Sequence, residues 1–394
     1  MSNSMEPYVA SHLKNMNRHM VYNLISELGT ASKAQISKLT GISMPTVMKI
    51  ASFLVEEGLV LDLGEGKSTV GRKPHILSLN RDRLYTAAFF LEGELLNFGI
   101  LDIAGEVKHK KEMRCEMDFQ KILAEISDGL VEGLFAEADI NLEKLMGIGI
   151  ALPGVYDLSL QTIHSAPMIG LREPVCLVHF IRDMERRYNV PVLVENDVNC
   201  QCYGEFKATK MPVDSDLLLV SVGTGIGAGV ILNGKLRHGA HYMCGEIGFM
   251  SFRDDYRFDW SSPGWLESKI SFRALKEKVG VSYGMDLTNV PESMVDAVVD
   301  YISNPLALCI FNMAMMIDCP NIRLSGLMID FFGDRLVDRV NRKLRQMHPN
   351  KATALKRHSD DIGLIGVATM LTEKLVSQIL TENNDTVLSN GGMR

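Results

Sequence analysis

Four short stretches of this 394-residue chain combine residue types that can do chemistry. The first is the glycine-rich segment Gly223-Thr224-Gly225-Ile226-Gly227-Ala228-Gly229. Its spacing is not the dinucleotide fingerprint, and a strand pattern follows it instead of a helix, which excludes a Rossmann-type site. Two uses remain: close approach of backbone N–H groups to a phosphate, or a tight hairpin. The second stretch is Asn196-Asp197, one residue after an apolar run at 190–194. A carboxylate and an amide held at a strand end can bond the hydroxyls of a polyol. The same pair can equally cap a following helix.

The other two stretches suit nucleic acid. Ser43, Met44, Thr46, Val47 and Lys49 stand at the start of a helix entered through a tight turn at Gly41, with Pro45 in its first turn. The N-terminal half of such a helix faces base edges in a helix-turn-helix. Only Lys49 is basic, and no Arg is placed for a bidentate guanine contact, so readout here is modest; Met44 or Val47 can meet a thymine methyl. For Ser43 and Thr46 the competing use is capping alone. Gly71-Arg72-Lys73-Pro74 can lie extended in a narrow A·T-rich minor groove, with Arg72 and Lys73 drawn by its potential, or can be a solvated basic turn.

The elements that must position these groups are legible from periodicity. Residues 32–60 read as two helices joined by the Gly41 turn, preceded by a helix at 17–30 with Met20, Val21, Leu24, Ile25 and Leu28 on one face. Strand patterns at 60–61 and 74–79 flank a turn composition at 63–68. Three helices and a β-hairpin make a winged helix-turn-helix over residues 1–80. This head carries eight Lys/Arg against six Asp/Glu, a net of +2, while the whole chain is −7 and the remainder therefore −9. The asymmetry fits phosphate neutralisation by the head.

From about residue 83 the order becomes βββαβαβ: strands at 84–90, 95–101 and 106–111, a helix at 118–138, a strand at 147–152, a helix from 174 to about 187 and a strand at 190–194. It restarts at 217 with strands at 217–222, 228–232 and 235–238 around an Asn233-Gly234 turn. A strand at 321–324 and two closing helices complete the second copy. The expected fold is α/β: the winged head, then a duplicated actin/hexokinase-like (ribonuclease H-like) two-lobed body with its ligand in the cleft. The boundaries expected are 81–195 for the first lobe, with a helix at about 366–390 packing back onto it, and 196–365 for the second. No apolar run reaches the ~18 residues of a membrane helix. The N-terminus lacks a basic-then-apolar secretion pattern, and the seven cysteines are odd in number and scattered. A cytoplasmic chain with reduced thiols is expected.

At this point the chain resembles the ROK family of repressors and sugar kinases. Gly147-Ile148-Gly149-Ile150-Ala151-Leu152-Pro153-Gly154-Val155-Tyr156-Asp157 is similar to the family's G-x-G-x-x-x-P-G-x-x-D. Val194-Glu195-Asn196-Asp197-Val198-Asn199 is similar to its E-N-D-x-N, and 223–229 to its second phosphate loop. Gly245-Glu246-Ile247-Gly248 and Gly264-Trp265-Leu266-Glu267 match parts of its G-E-I-G-H and C-x-C-G-x-x-G-C-L-E patterns. The resemblance implies that Asn196, Asp197, Glu246 and Glu267, with Gly154 on the neighbouring loop, bind a sugar. In the family's kinases the Asp matching Asp197 is the general base.

Three departures qualify the resemblance. Phe89-Phe90-Leu91-Glu92-Gly93-Glu94 replaces the kinases' D-x-G-G-T, with Phe90 in place of the Asp, so no catalytic residue and no kinase activity are expected. Phe249 stands where the zinc-bearing relatives have His, and 251–263 contain no cysteine. No metal or other cofactor is therefore expected, and Cys200, Cys202, His241 and Cys244 read as packing residues. Ala166-Pro167-Met168-Ile169-Gly170-Leu171 is apolar where the family often has Asn and Trp. The expectation is a sugar-responsive repressor of carbohydrate genes, binding an operator as a dimer or tetramer, its effector a neutral sugar or polyol. The alternatives are a DNA-binding sugar kinase, or a regulator switched by a protein partner such as a sugar-transport component.

Overall fold

Ser32 begins the head's second helix, Lys33–Thr40, by accepting the Gln35 N–H on its side chain, and Gly41 ends it at φ +71°, its N–H bonded to the Ser37 carbonyl. Only a residue at ease in the left-handed region makes so abrupt a stop before the next helix, Met44–Glu56. The computed structural model describes residues 10–65, 75–254, 263–281, 285, 290–347 and 354–381. In it a first helix, Ala10–Leu28, packs on these two. The strands Val60–Glu65 and His75–Leu79 pair antiparallel, and a third strand that periodicity did not reveal, Thr30–Ser32, adds to the other edge of His75–Leu79. At three residues it is too short to show alternation. The segment Gly71 to Pro74, with Arg72 and Lys73, lies outside the described residues.

The body holds two five-stranded sheets of one design. In the first, Val107–Arg114, Leu95–Asp102, Tyr85–Glu92, Leu145–Leu152 and Val192–Asn196 lie in that order. The first three are antiparallel neighbours, and the last two run parallel to Tyr85–Glu92. In the second, Lys235–Leu236, Ile226–Leu232, Leu217–Val222, Ile322–Ser325 and Ala354–Lys356 repeat order and direction. The central strands of both are almost wholly buried, as required of strands covered on both faces. The duplicated, two-lobed α/β body is thus the observed fold.

Two expected helices differ in detail. The span 118–138 is two helices, Phe119–Ser127 and Leu130–Glu137, because Gly129 takes φ +75° and breaks the ladder. The helix expected from residue 174 begins at Val178, after a short strand Val175–Cys176. Two helices, Glu292–Ile317 and Ile362–Thr381, are long and apolar enough to cross a membrane by composition, though both supply core side chains to the body.

The lobes meet where helix Asp197–Ala208 crosses the closing helix Ile362–Thr381. Glycines set the distance. A Cβ on Gly204 would lie 1.8 Å from the Ile362 carbonyl oxygen, and one on Gly366 1.8 Å from that of Cys200. The closing helix also rests on the first sheet, with Val367 over Gly149 and Leu371 over Gly147. Its last turn reaches the head: Leu375, Val376 and Leu380 share a core with Val21, Ile25 and Leu54. There the Arg18 guanidinium donates to the Leu380 carbonyl at 3.0 Å and stacks on Phe53 at 3.5 Å.

Gly204→Ala is expected to destabilise the chain by about 3 kcal/mol, the upper range for an overpacked core, because the added methyl meets backbone that cannot rotate away. Gly133→Ala, at a helical position with open space around it, should instead stabilise by up to about 1 kcal/mol, the helix-propensity gain of Ala over Gly. Equal urea midpoints for the two variants would refute the crossing as drawn.

Candidate functional site

Asn196 ends a strand of the first sheet and starts helix Asp197–Ala208. Its Oδ1 accepts the Asn199 N–H at 2.9 Å, and its Nδ2 donates to the Gly154 carbonyl at 3.0 Å and to Asp197 Oδ1 at 3.2 Å. The cap is therefore real, and the same side chain braces the Gly154 loop. Gly154 sits at φ +114°, where a Cβ would lie 2.5 Å from the Ser165 carbonyl oxygen. Beneath them Glu195 is buried and fully bonded, accepting from the Asn196 N–H at 2.8 Å and Asn199 Nδ2 at 3.1 Å and contacting His238 Nε2 at 2.8 Å. His238 belongs to the second lobe, in the loop leading to Glu246, and its bond to Glu195 raises its pKa.

Asn196, Asp197, Gly154, Glu246 and Glu267 line one cleft between the lobes, together with Glu92, Ser221 and the turn 223–225. The cavity is about 140 Å³, many times the roughly 10–15 Å³ one water needs. The glycine segment is a hairpin turn: Gly223 N–H bonds the Gly225 carbonyl at 2.9 Å between strands Leu217–Val222 and Ile226–Leu232. Burial pushes Asp197 up to about 7, with Glu92 adding to the shift and the Val198 N–H opposing it. Burial likewise raises Glu246 to about 7, helped by Asp197 and Glu267. Burial raises Glu267 as well, against a long hydrogen bond from the Ile226 N–H at 3.4 Å. Desolvated carboxylates are strong acceptors for hydroxyl donors and poor hosts for anions.

Glu92 is the group that sequence reasoning left out. It ends the strand Tyr85–Glu92, next to Phe90, which is buried against Gly363. Burial pushes it up to about 7, while Arg357 pulls it down. The available signal was an otherwise apolar strand, 87–91, closing on a carboxylate. Leu327 packs beside the adjoining turn: a Cβ on Gly93 would lie 2.8 Å from Leu327 Cδ1. Phe249 lines the cleft; Cys200 and Cys202 are buried, and His241 is exposed. Among the described residues no group of three or more His, Cys, Asp or Glu side chains is arranged to hold a metal ion.

In the head, Met44 and Lys49 are exposed and Thr46 is half-buried. Ser43 occupies the N-cap position, yet its hydroxyl pairs with that of Thr46 at 2.8 Å and not with a backbone amide. Val47 overturns its expected place on the DNA face. It is 0% exposed, in the core with Ile50, Ala51 and Leu54, because 47, 50, 51 and 54 form the i, i+3, i+4, i+7 stripe that packs inward. Met48, 54% exposed, is the neighbouring apolar side chain left on the surface.

A family model described as "ROK family" matches residues 92–374. The xylose repressor of Caldicellulosiruptor bescii is 31% identical over 267 residues, 67% of this chain and 65% of that protein. The xylose repressor of Bacillus subtilis is 29% identical over 241 residues, 61% of each chain. The matched stretches thus span less than two thirds of either relative. Among solved structures, a ROK family transcriptional regulator homologous to the E. coli MLC protein superposes with a TM-score of 0.71 at 21% identity, covering 94% of this chain and 97% of that one. A ROK family glucokinase from Streptomyces griseus, solved with glucose and AMPPNP, gives 0.59 at 21% identity, covering 73% and 98%. These two share the fold.

Because Asp197 is raised from the ordinary carboxylate range to about 7, its ionisation penalises the folded state. The penalty is absent below about pH 4, grows as pH rises to about 7 and is constant above. Asp197→Asn should therefore be more thermostable than the unsubstituted chain at pH 8, with the gap closing as pH falls to about 4. Parallel melting-temperature curves across that range would refute the buried carboxylate.

Proposed function

The chain belongs to the ROK family, and from that premise we propose that it is a cytoplasmic, sugar-responsive transcriptional repressor without kinase activity. The observation that carries this reading is the union, in one chain, of a winged helix-turn-helix head with a cleft of buried carboxylates. The names of its relatives, xylose repressors among them, support the same reading. Met44, Thr46 and Lys49 at the start of helix Met44–Glu56, with the basic residues Arg72 and Lys73, contact operator DNA. Two heads of a dimer read two half-sites. Asn196, Asp197, Glu246 and Glu267 hold a neutral sugar or polyol, D-xylose being the first probe to try. The effector changes the lobe angle and so the population of DNA-competent head arrangements.

The repressor reading is favoured over the kinase reading by three side chains. Phe90 is buried in apolar core, Glu92 brings negative charge to the turn where phosphoryl transfer needs cation and metal positioning, and Leu327 packs on Gly93. Asp197 alone, a general-base candidate, does not compensate for the missing Asp and Thr of the kinase turn.

The test begins with DNA sites selected from a random library by the purified chain, followed by titration with D-xylose and a panel of free sugars. A sugar that lowers DNA affinity, and whose effect vanishes in Asp197→Ala, is the expected result. Sugar-independent DNA binding together with ATP-dependent phosphorylation of any panel sugar would reverse the assignment. Lys49→Ala should weaken binding to all selected sites alike and reduce the salt slope by about one, as loss of a phosphate contact does. A change confined to one base position would instead make Lys49 a base reader.

A further inference from the structure

Glu92 is held from behind by an ion cluster that crosses the lobe boundary. Arg357, whose side chain is 3% exposed, lies 3.4 Å from Glu92 Oε1 of the first lobe; it donates to Asp330 Oδ2 at 2.6 Å and to Asp360 Oδ1 at 3.1 Å on the second. Among the described residues its Nε has no hydrogen-bond partner. One guanidinium therefore faces three carboxylates. Glu92, with its side chain 13% exposed, presents the remaining negative charge to the cleft that it lines. On the same side Leu327 fills the gap between the two hairpin turns, against Gly93 and within 3.6 Å of a Cβ on Gly223. The Gly223 N–H, which a phosphate would need, is taken by the Gly225 carbonyl.

Resting on the reading of this cleft as a sugar site, we propose that Glu92 is a specificity-determining residue. Its carboxylate accepts a hydroxyl hydrogen from a neutral sugar and repels the phosphate of the corresponding phosphosugar. The logic is discrimination by a built-in repulsion. At pH 8, the pH of the titrations below, Glu92 and Asp197 are ionised, and a phosphate entering this end of the cleft meets both at low dielectric, where like charges interact strongly. The nearby cation that could compensate, Arg357, is already engaged by Glu92, Asp330 and Asp360. A hydroxyl meets no such opposition and finds an acceptor. Neutralising Glu92 removes one repelling charge and one claim on Arg357 together.

The experiment is calorimetric titration at pH 8 of the full chain, and of Glu92→Gln and Glu92→Ala, with D-xylose, D-glucose, D-xylose 5-phosphate and D-glucose 6-phosphate. Unsubstituted protein should bind a neutral sugar at least 100-fold tighter than its phosphate ester. Both variants should narrow that ratio at least tenfold by gaining affinity for the ester, with Glu92→Gln, which keeps an acceptor oxygen, holding the neutral sugar better than Glu92→Ala, and an unchanged thermal unfolding curve is the folding control for both. An unchanged ratio in variants that still bind the neutral sugar overturns the role of Glu92 and leaves the sugar cleft standing. Loss of both ligands with normal thermal unfolding also overturns it, since Glu92 would then support binding without discriminating. Absence of any neutral-sugar binding by the unsubstituted chain overturns the sugar-cleft reading itself.

Discussion

The contact on which the rest depends is the crossing of helices Asp197–Ala208 and Ile362–Thr381, where backbone meets backbone through Gly204 and Gly366. A side chain at either glycine would force the helices apart by more than the tolerance of a packed core. That separation fixes two positions. The N-terminus of helix Asp197–Ala208 carries Asp197 and the Asn196 cap, so the crossing sets the depth of the cleft's central carboxylate. The closing helix rests on Gly147 and Gly149 of the first sheet, so the crossing also ties that depth to the lobe that carries Glu92.

The cleft gains its chemistry at the expense of stability. Asp197, Glu246 and Glu92 are each raised to about 7 by burial, so above that pH the cleft carries charge that water would have solvated better. Most of the surrounding polar groups do not relieve this, because they serve the scaffold: Asn196 caps and braces, and Glu195 is fully bonded to Asn196, Asn199 and His238. What remains available is a set of carboxylates whose few donors, Asn196 on Asp197, Arg357 on Glu92 and the Ile226 N–H on Glu267, leave acceptor capacity to spare. A polyhydroxyl ligand supplies donors without adding charge, which makes it the natural complement.

Much of this was legible in the chain. The Asn196-Asp197 pair, the Gly154 loop, Glu246 and Glu267 fall in ordered motifs, and the fold brings all of them to one cavity. The repeated strand order could be read because apolar strands alternate with turn residues such as Asn233-Gly234. Other features left an ambiguous periodic trace or none. The burial of Val47 depends on which stripe of helix Met44–Glu56 turns inward, and Met44, Val47 and Met48 are all apolar, so composition could not choose. The break at Gly129 hid inside a span whose apolar spacing suits one long helix. Glu92 and Arg357 are 265 residues apart, and no local pattern announces a partner at that distance. The role of Gly204 belongs to the same class, since its neighbour Ile362 lies on an element that only the tertiary fold brings near.

Cleft and head are joined by one rigid element. Helix Ile362–Thr381 has 20 residues, about 30 Å at 1.5 Å per residue. It starts beside the Phe90 ring and the Arg357–Asp360 cluster and ends at the Leu380 carbonyl that Arg18 holds. Arg18 also stacks on Phe53, three residues before the end of the helix whose start bears Met44 and Lys49. A cation at a helix C-terminus is favoured by the dipole and by unsatisfied carbonyls, so this junction is a defined contact among three helices and not a loose tether. A shift of the closing helix relative to the first sheet is resisted by Val367 and Leu371 seated over Gly149 and Gly147. The helix therefore moves with its lobe. The crossing with helix Asp197–Ala208 at one end and the Arg18–Phe53 contact at the other thus make this helix the continuous line of packing between cleft and head.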